Sequence, residues 1–170
     1  MSLISKKTVG LIFGGISNEH LVSVNSAKTI FNAFKSKCNV ANFDLKTFYL
    51  SREGKLYPHE TSILLLNSEL TIKEFKIGTN NFKPTNFVEL FKPNEIDVWF
   101  PILHGFNGED GTIQGLLKFT NKPCISSGIL GSAIGMDKIT SKLLFSNLKI
   151  PQVNYLPLQN YDPKNINELQ

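Results

Sequence analysis

Two periodicities alternate along this chain, and they mark out its elements. Thr8-Val9-Gly10-Leu11-Ile12-Phe13 is almost wholly apolar and is stopped by Gly14-Gly15. That pattern predicts a buried strand over 8–13 ending in a tight turn. Ser17-Asn18-Glu19-His20 then opens a segment in which Val24, Ala27, Ile30, Phe31 and Phe34 recur at helical spacing. A helix over 19–34 with one apolar face follows. Residues 39–44 read as a strand, so the opening is strand, helix, strand, which requires a parallel pair and a right-handed crossover. Phe48-Tyr49-Leu50 and Lys55-Leu56-Tyr57 flank Gly54 and predict a hairpin over 47–57. Residues 58–95 are the least regular. Their short apolar pieces at 63–66, 70–77 and 87–91 fix no element type.

The second half repeats the design. Asp97 to Leu103 is an apolar run, and His104-Gly105-Phe106-Asn107-Gly108-Glu109-Asp110-Gly111 breaks it. A strand over 97–103 leads into an exposed loop, and Asp110 reads as the N-cap of a helix over 111–120 carrying Ile113, Leu116, Leu117 and Phe119. Lys122-Pro123 is expected to end that helix. Cys124-Ile125 reads as a short strand and residues 129–136 as a brief helix rich in small residues. Asp137 caps a helix over 138–148 with Leu143, Leu144 and Leu148 inward, and 150–153 leads toward a second sheet. The fold class is α/β: an open, mainly parallel sheet flanked by helices. Residues 1–136 form the first domain, and 137–170 begin another that is incomplete.

The 170 residues are 41% hydrophobic and 11% aromatic, enough for a packed core. No apolar run reaches the ~20 residues that span a bilayer, so no membrane role is expected. Charge follows the first residues at once, without a signal-peptide apolar region, and the chain is expected to be cytoplasmic. The net charge of +4 comes from lysines spread along the chain, with Arg52 the sole arginine. Nucleic-acid readers concentrate Lys and Arg on one face, so no nucleic-acid partner is expected. Cys38 and Cys124 stand in neither a metal nor a redox spacing, and Cys124 reads as a buried or half-buried free thiol. No metal ligand is assigned. The first loop lacks G-x-G-x-x-G, which argues against a plain dinucleotide-binding protein.

Candidate chemistry lies where strands end, since open α/β sheets bind ligands at their carboxyl edge and helix N-termini favour anionic groups. Glu19, at a helix start, either receives an ammonium group or serves as a capping carboxylate. His104 follows a strand end, and Gly105 lets backbone approach a ligand closely. Its imidazole can donate or accept; loop backbone could equally satisfy it. Gly14 and Gly15 provide the turn after the first strand. Ser23 shares a face with Glu19 one helical turn on. Asp110 reads as a cap and Glu109 as a brace for a neighbouring loop. Lys138 opens a helix, an odd place for a cation unless a phosphate is near; the alternative is a solvated lysine. His20 and His59 are given no role and are expected at the surface or in loops.

Gly14-Gly15-Ile16-Ser17-Asn18-Glu19-His20-Leu21-Val22-Ser23 resembles the first signature of the D-alanine–D-alanine ligases. His104-Gly105 followed by Gly108-Glu109-Asp110-Gly111-Thr112 is similar to the core of that signature. Residues 127–138, ending in Met136-Asp137-Lys138, resemble a third block. The three stand in family order and bracket nearly the whole chain. One departure is Ser126, where many members carry glycine.

The resemblance implies a Rossmann-like domain over 1–136 that precedes an ATP-grasp domain, whose start is 137–170. It implies ATP-dependent joining of two D-alanines through an acyl phosphate for peptidoglycan precursors. Glu19 would hold the ammonium of the first D-alanine, His104 would lie beside substrate and attacking amine, and Lys138 would point toward the ATP phosphates. The remaining ATP and Mg ligands are expected beyond Gln170, so the chain alone is expected to be inactive. Family members are commonly homodimers through this domain. D-lactate or D-serine as second substrate, and a non-catalytic binding domain of the same fold, are the alternatives.

Overall fold

The computed structural model describes residues 5–68, 83–87 and 95–157. The elements in order are β1 (Lys7–Gly14), α1 (His20–Phe34), α2 (Lys37–Asn42), β2 (Phe43–Leu50), β3 (Leu56–Tyr57), α3 (His59–Asn67), β4 (Val98–Pro101), α4 (Thr112–Lys118), α5 (Ile129–Met136) and α6 (Lys138–Asn147). They divide into two compact units, Met1–Ala133 and Ile134–Gln170.

The first unit carries one sheet in the order β3-β2-β1-β4. β1 pairs in parallel with β2 (Lys7↔Phe43 to Gly14↔Leu50) and with β4 (Val9↔Val98 to Ile12↔Pro101). β3 is antiparallel to β2 and closes the expected hairpin. The sheet is therefore open and mainly parallel, with helices against it. Strand alternation in β1 sends Leu11 and Phe13 to one face, where they pack with Val24, Ala27 and Phe31 of α1 and Leu65 and Leu66 of α3. Ile12 faces the other way and packs with Trp99, Leu103, Ile113 and Leu117. Both faces are covered, which is why the β1 segment reads as a continuous apolar run.

Several expectations are corrected. Residues 39–44 do not form one strand: α2 occupies 37–42, because the Ser36 side chain accepts from the Asn39 N–H as an N-cap, and β2 starts at Phe43. β4 is shorter than 97–103, although Asp97 N–H to Thr8 O and Ile102 N–H to Ile12 O carry the ladder past its ends. α4 ends at Lys118, well before Pro123. The Thr120 hydroxyl donates to Leu117 O, and Asn121 adopts a φ of 54°, so the chain has left the helix already. Phe119 is 85% exposed instead of lying on the inner face. Cys124 makes an isolated parallel bridge to Trp99, not a full strand, and its thiol is half-buried. The 63–66 piece falls within α3. The 70–77 piece and most of 87–91 lie outside the described residues.

Within the second unit, Asp137 caps α6 by accepting from the Thr140 N–H at 2.8 Å. Leu143, Leu144 and Leu148 are exposed, contrary to the inward face expected of them. Residues 150–153 form no strand. The Gln152 amide donates instead to Lys142 O and to the Ser146 hydroxyl, which ties this segment back onto α6.

Candidate functional site

The chain runs from β1 through α1 to β2 on one side, then returns to β4 on the other side of β1. The carboxyl ends of β1 and β4 thus flank a point where strand order reverses, the crevice in which open α/β sheets bind ligands. The loops leaving those two strands carry Glu19 and His104.

The β1 loop is fixed by its glycines and by two serines. Gly14 has a φ of +97°, and a Cβ there would lie 2.1 Å from Leu50 O, so only glycine fits. Gly15 N–H donates to that same carbonyl at 2.8 Å. The Ser23 hydroxyl accepts from Gly14 N–H at 2.8 Å and donates to Ile102 O, joining the two strand ends. Its support of Glu19 is through backbone alone, Ser23 N–H to Glu19 O at 3.1 Å. The Ser17 hydroxyl accepts from Glu19 N–H at 3.2 Å and donates to His104 O at 2.6 Å. One side chain therefore spans both loops.

The β4 loop is braced from within. Gly105, with a φ of +70°, donates its N–H to Glu109 Oε2 at 2.7 Å. A Cβ at Gly105 would lie 3.6 Å from Glu19 Cδ, so the loop backs directly onto that carboxylate. Asp110 is not itself the cap residue. Gly111 is, in the left-handed region, and the Asp110 carboxylate accepts from Thr112 N–H at 3.0 Å and Asn107 N–H at 2.8 Å. Burial works against ionising Asp110, but the bonds from Thr112 and Asn107 outweigh it and hold the carboxyl below the usual range.

Glu19, His104 and Glu109 come together: their ligating atoms all lie within 4.8 Å of one another. Among the described residues this is the only cluster of such groups close enough to share one cation. Glu19 is exposed at the N-terminus of α1 and its side chain makes no capping bond, so its carboxylate is open to solvent. His104 is half-buried, with Nε2 3.5 Å from the Ser26 hydroxyl. Two carboxylates and an imidazole offer several acceptors to a primary ammonium with three N–H donors. An apolar cavity of about 200 Å³, lined in part by Ile16, Leu103 and Ile113, lies beside the two loops. Lys138 belongs to the second unit, where it is exposed at the start of α6 with Nζ 3.4 Å from Gly135 O.

Sequence reasoning missed His20. It is fully buried, not superficial: its Nδ1 bonds Gly15 O and its Nε2 bonds the Tyr49 hydroxyl at 3.1 Å. Burial lowers its pKa. His59 is half-buried at the start of α3, where Nδ1 accepts from Thr47 N–H at 3.0 Å. The one available signal for His20 was that it lies beside Glu19 and ahead of the apolar α1 positions. Ser17 gave none, because its span to a residue 87 positions away is purely tertiary.

The chain is 56% identical over 162 residues to a D-alanine--D-alanine ligase of Prochlorococcus marinus (strain MIT 9312), covering 95% of this chain and 46% of the relative. A second relative, from strain NATL2A of the same species, is 42% identical over 164 residues, covering 95% and 45%. The chain spans about half the length of the curated relatives it matches. Among solved structures, the D-alanine-D-alanine ligase from Coxiella burnetii matches with a TM-score of 0.76 at 25% identity, over 96% of this chain and 47% of that one. The VanG D-Ala:D-Ser ligase from Enterococcus faecalis matches with a TM-score of 0.68 at 28% identity, over 85% and 43%. The family model of the D-ala D-ala ligase N-terminus matches residues 8–127, and the chain belongs to that family.

Proposed function

We propose that the protein carrying this chain joins two D-alanines in an ATP-dependent reaction, for peptidoglycan precursors, and that this chain supplies the first-D-alanine side of the site. The observation that carries the reading is the Glu19–His104–Glu109 cluster at the switch point of the sheet. Glu19 accepts the ammonium of the first D-alanine. Ser17 fixes the separation of the Glu19 and His104 loops. His104 lies beside the reacting carboxyl, where it orients that group or assists proton transfer from the attacking amine. Gly14, Gly15 and Gly105 give the backbone its close approach, and Ser23 ties the strand ends beneath them. Holding both reactants in one geometry is the main service these residues perform, because it removes much of the entropic barrier.

ATP, with Mg, supplies the phosphoryl group that turns the first carboxylate into an acyl phosphate. The amine of the second D-alanine adds to that carbonyl, loses a proton, and expels phosphate. Lys138 is assigned to the ATP phosphates; the other ATP and Mg ligands are assigned to residues outside this chain. The domain boundary is placed at 136/137, with 137–170 opening the ATP-grasp domain. The protein acts in the cytoplasm; among the described residues no helix is long and apolar enough to cross a membrane. It pairs as a homodimer, and exposed Phe119, Ile125, Ile129 and Leu130 in the first unit support a surface for a second copy. No nucleic-acid partner is assigned.

The similarity to a D-Ala:D-Ser ligase favours one second reading, D-serine as the second substrate. Phosphate release from ATP by the whole protein, with D-alanine, D-serine and D-lactate offered singly and in pairs, separates the readings. Release with D-alanine alone, and dipeptide formed, is the expected result. Release only with a mixed pair moves the protein to the D-serine or depsipeptide reading, and no release leaves a binding domain. The 170-residue chain by itself is expected to release none.

A further inference from the structure

His20 is a buried imidazole outside the acceptor cluster. Its side chain is fully enclosed, so its polar atoms must find partners within the protein. Gly15 O can only accept, so Nδ1 carries the proton of that bond. In the neutral ring Nε2 is then an acceptor, and the Tyr49 hydroxyl donates to it at 3.1 Å. Burial opposes protonation of the imidazole and lifts the Tyr49 phenol to about 12, so both groups keep these forms at neutral pH. Tyr49 is itself fixed in the core, 5.4 Å from the Phe13 ring and 5.9 Å from that of Tyr57. The bonds therefore run from the sheet through one tautomer of His20 to the carbonyl of Gly15.

Gly15 begins the loop that ends at Glu19, and His20 is the next residue after Glu19. Its backbone N–H closes the turn on Ser17 O at 3.2 Å, while its side chain anchors Gly15. The loop is thus held at both ends by one residue. A phenylalanine would fill the same space and leave the buried Gly15 carbonyl without its imidazole donor.

We propose that His20, locked as one tautomer between Gly15 and Tyr49, is a positioning residue that sets the direction of the Glu19 carboxylate. The proposal rests on the assignment of Glu19 to the ammonium of the first D-alanine.

The test compares His20→Phe, His20→Asn and Tyr49→Phe in the whole protein, with KM for D-alanine and for ATP measured separately. Losing the buried bond is expected to raise the KM for the first D-alanine about tenfold in His20→Phe, with the ATP KM unmoved. His20→Asn places an amide donor near the Nδ1 position and should recover most of the loss. A purely structural role would lower the active fraction, and so the apparent kcat, while leaving the D-alanine KM alone. A folded His20→Phe protein with an unchanged D-alanine KM would overturn the proposal, as would failure of His20→Asn to recover.

Nitrogen-15 spectra of His20 give a readout independent of turnover. The Nδ1–H tautomer is expected in the parent, with altered Ser17 and Glu19 amide shifts in Tyr49→Phe. An Nε2–H tautomer, or unmoved loop amides, would overturn the proposal whether or not D-alanine supports phosphate release. Absence of release in the parent with every substrate pair instead overturns the assignment of Glu19. Tyr49→Phe keeps the core filled, so the spectra decide even if His20→Phe does not fold.

Discussion

Glu19 owes its availability to what its neighbours do. Ser17, not Glu19, receives the loop N–H, and the Glu19 carboxylate is left without a capping bond. Replacing it with glutamine keeps the shape and removes the charge proposed to meet an ammonium. A charge-assisted bond contributes about 1.5–3 kcal/mol, so Glu19→Gln in the whole protein should raise the KM for the first D-alanine roughly 10–100-fold and lower turnover. Unchanged steady-state kinetics would remove the ammonium role. The placement of Glu19 and His104 at strand ends was legible in the sequence because each comes after an apolar run with glycine close by, the local mark of a strand's carboxyl end. The direction of their side chains was not. It depends on Ser17 reaching His104 O and on Glu109 folding back onto Gly105, and neither contact leaves a periodic trace. His20 was misplaced for a related reason: an imidazole at a helix start looks solvated until Tyr49, 29 positions on, is seen to cover it.

At the scale of elements, β1 and β4 hold the two loops in register, and their contact depends on Gly10. A Cβ at Gly10 would lie 2.5 Å from Trp99 Cε3 and Cζ3 and 3.1 Å from Ile96 Cγ2. Trp99 has little room to move. It is 1% exposed, its Nε1–H donates to the Thr120 hydroxyl at 3.0 Å, and Phe48 packs 5.6 Å from its ring. Gly10→Ala would recover backbone entropy of about 0.5–1 kcal/mol, but overpacking costs about 1–3 kcal/mol and should win. Urea unfolding should show a lower midpoint for Gly10→Ala; a midpoint equal to the parent's would contradict this packing. The strands themselves were readable because both faces are buried and the runs are continuous. The 39–44 segment was not, since α2 buries no side chain and is started by the Ser36 cap. Leu143, Leu144 and Leu148 show the converse: helical spacing gave the helix but not which way its apolar side chains turn.

Across the whole molecule, the buried titratable groups set how stability follows pH. His20 and His59 both titrate below their usual 6.5, chiefly because burial disfavours the charged ring. Between the folded and unfolded values the unfolded chain binds more protons, so stability rises with pH through that window and is lost on acidification below about 6.5. Asp97 and Asp110 are held below 3.8, so their contribution fades only at lower pH still. Among the described residues, the loss that begins at about pH 6.5 comes from the two histidines, and Glu53, held below 4.5 by its hydrogen bond with the Ser51 side chain, adds to it further down. At the alkaline end, burial raises Tyr49 to about 12 and Tyr57 in the same direction. There the unfolded phenols ionise first, and stability falls as pH rises above about 10. A dome with a plateau between about pH 7 and 9 is expected, each group contributing at most about 1.4 kcal/mol per pH unit on the slopes. Trp99 is the sole tryptophan and lies in the core of the first unit, so its fluorescence in urea titrations at several pH values reads that unit. His59→Asn, whose side-chain oxygen can still receive the Thr47 N–H, should flatten the acid slope without abolishing it, because His20 remains. A parent chain equally stable at pH 5 and pH 7 would mean that neither imidazole is kept neutral by the fold, and the one-tautomer anchor of Gly15 would fail with it.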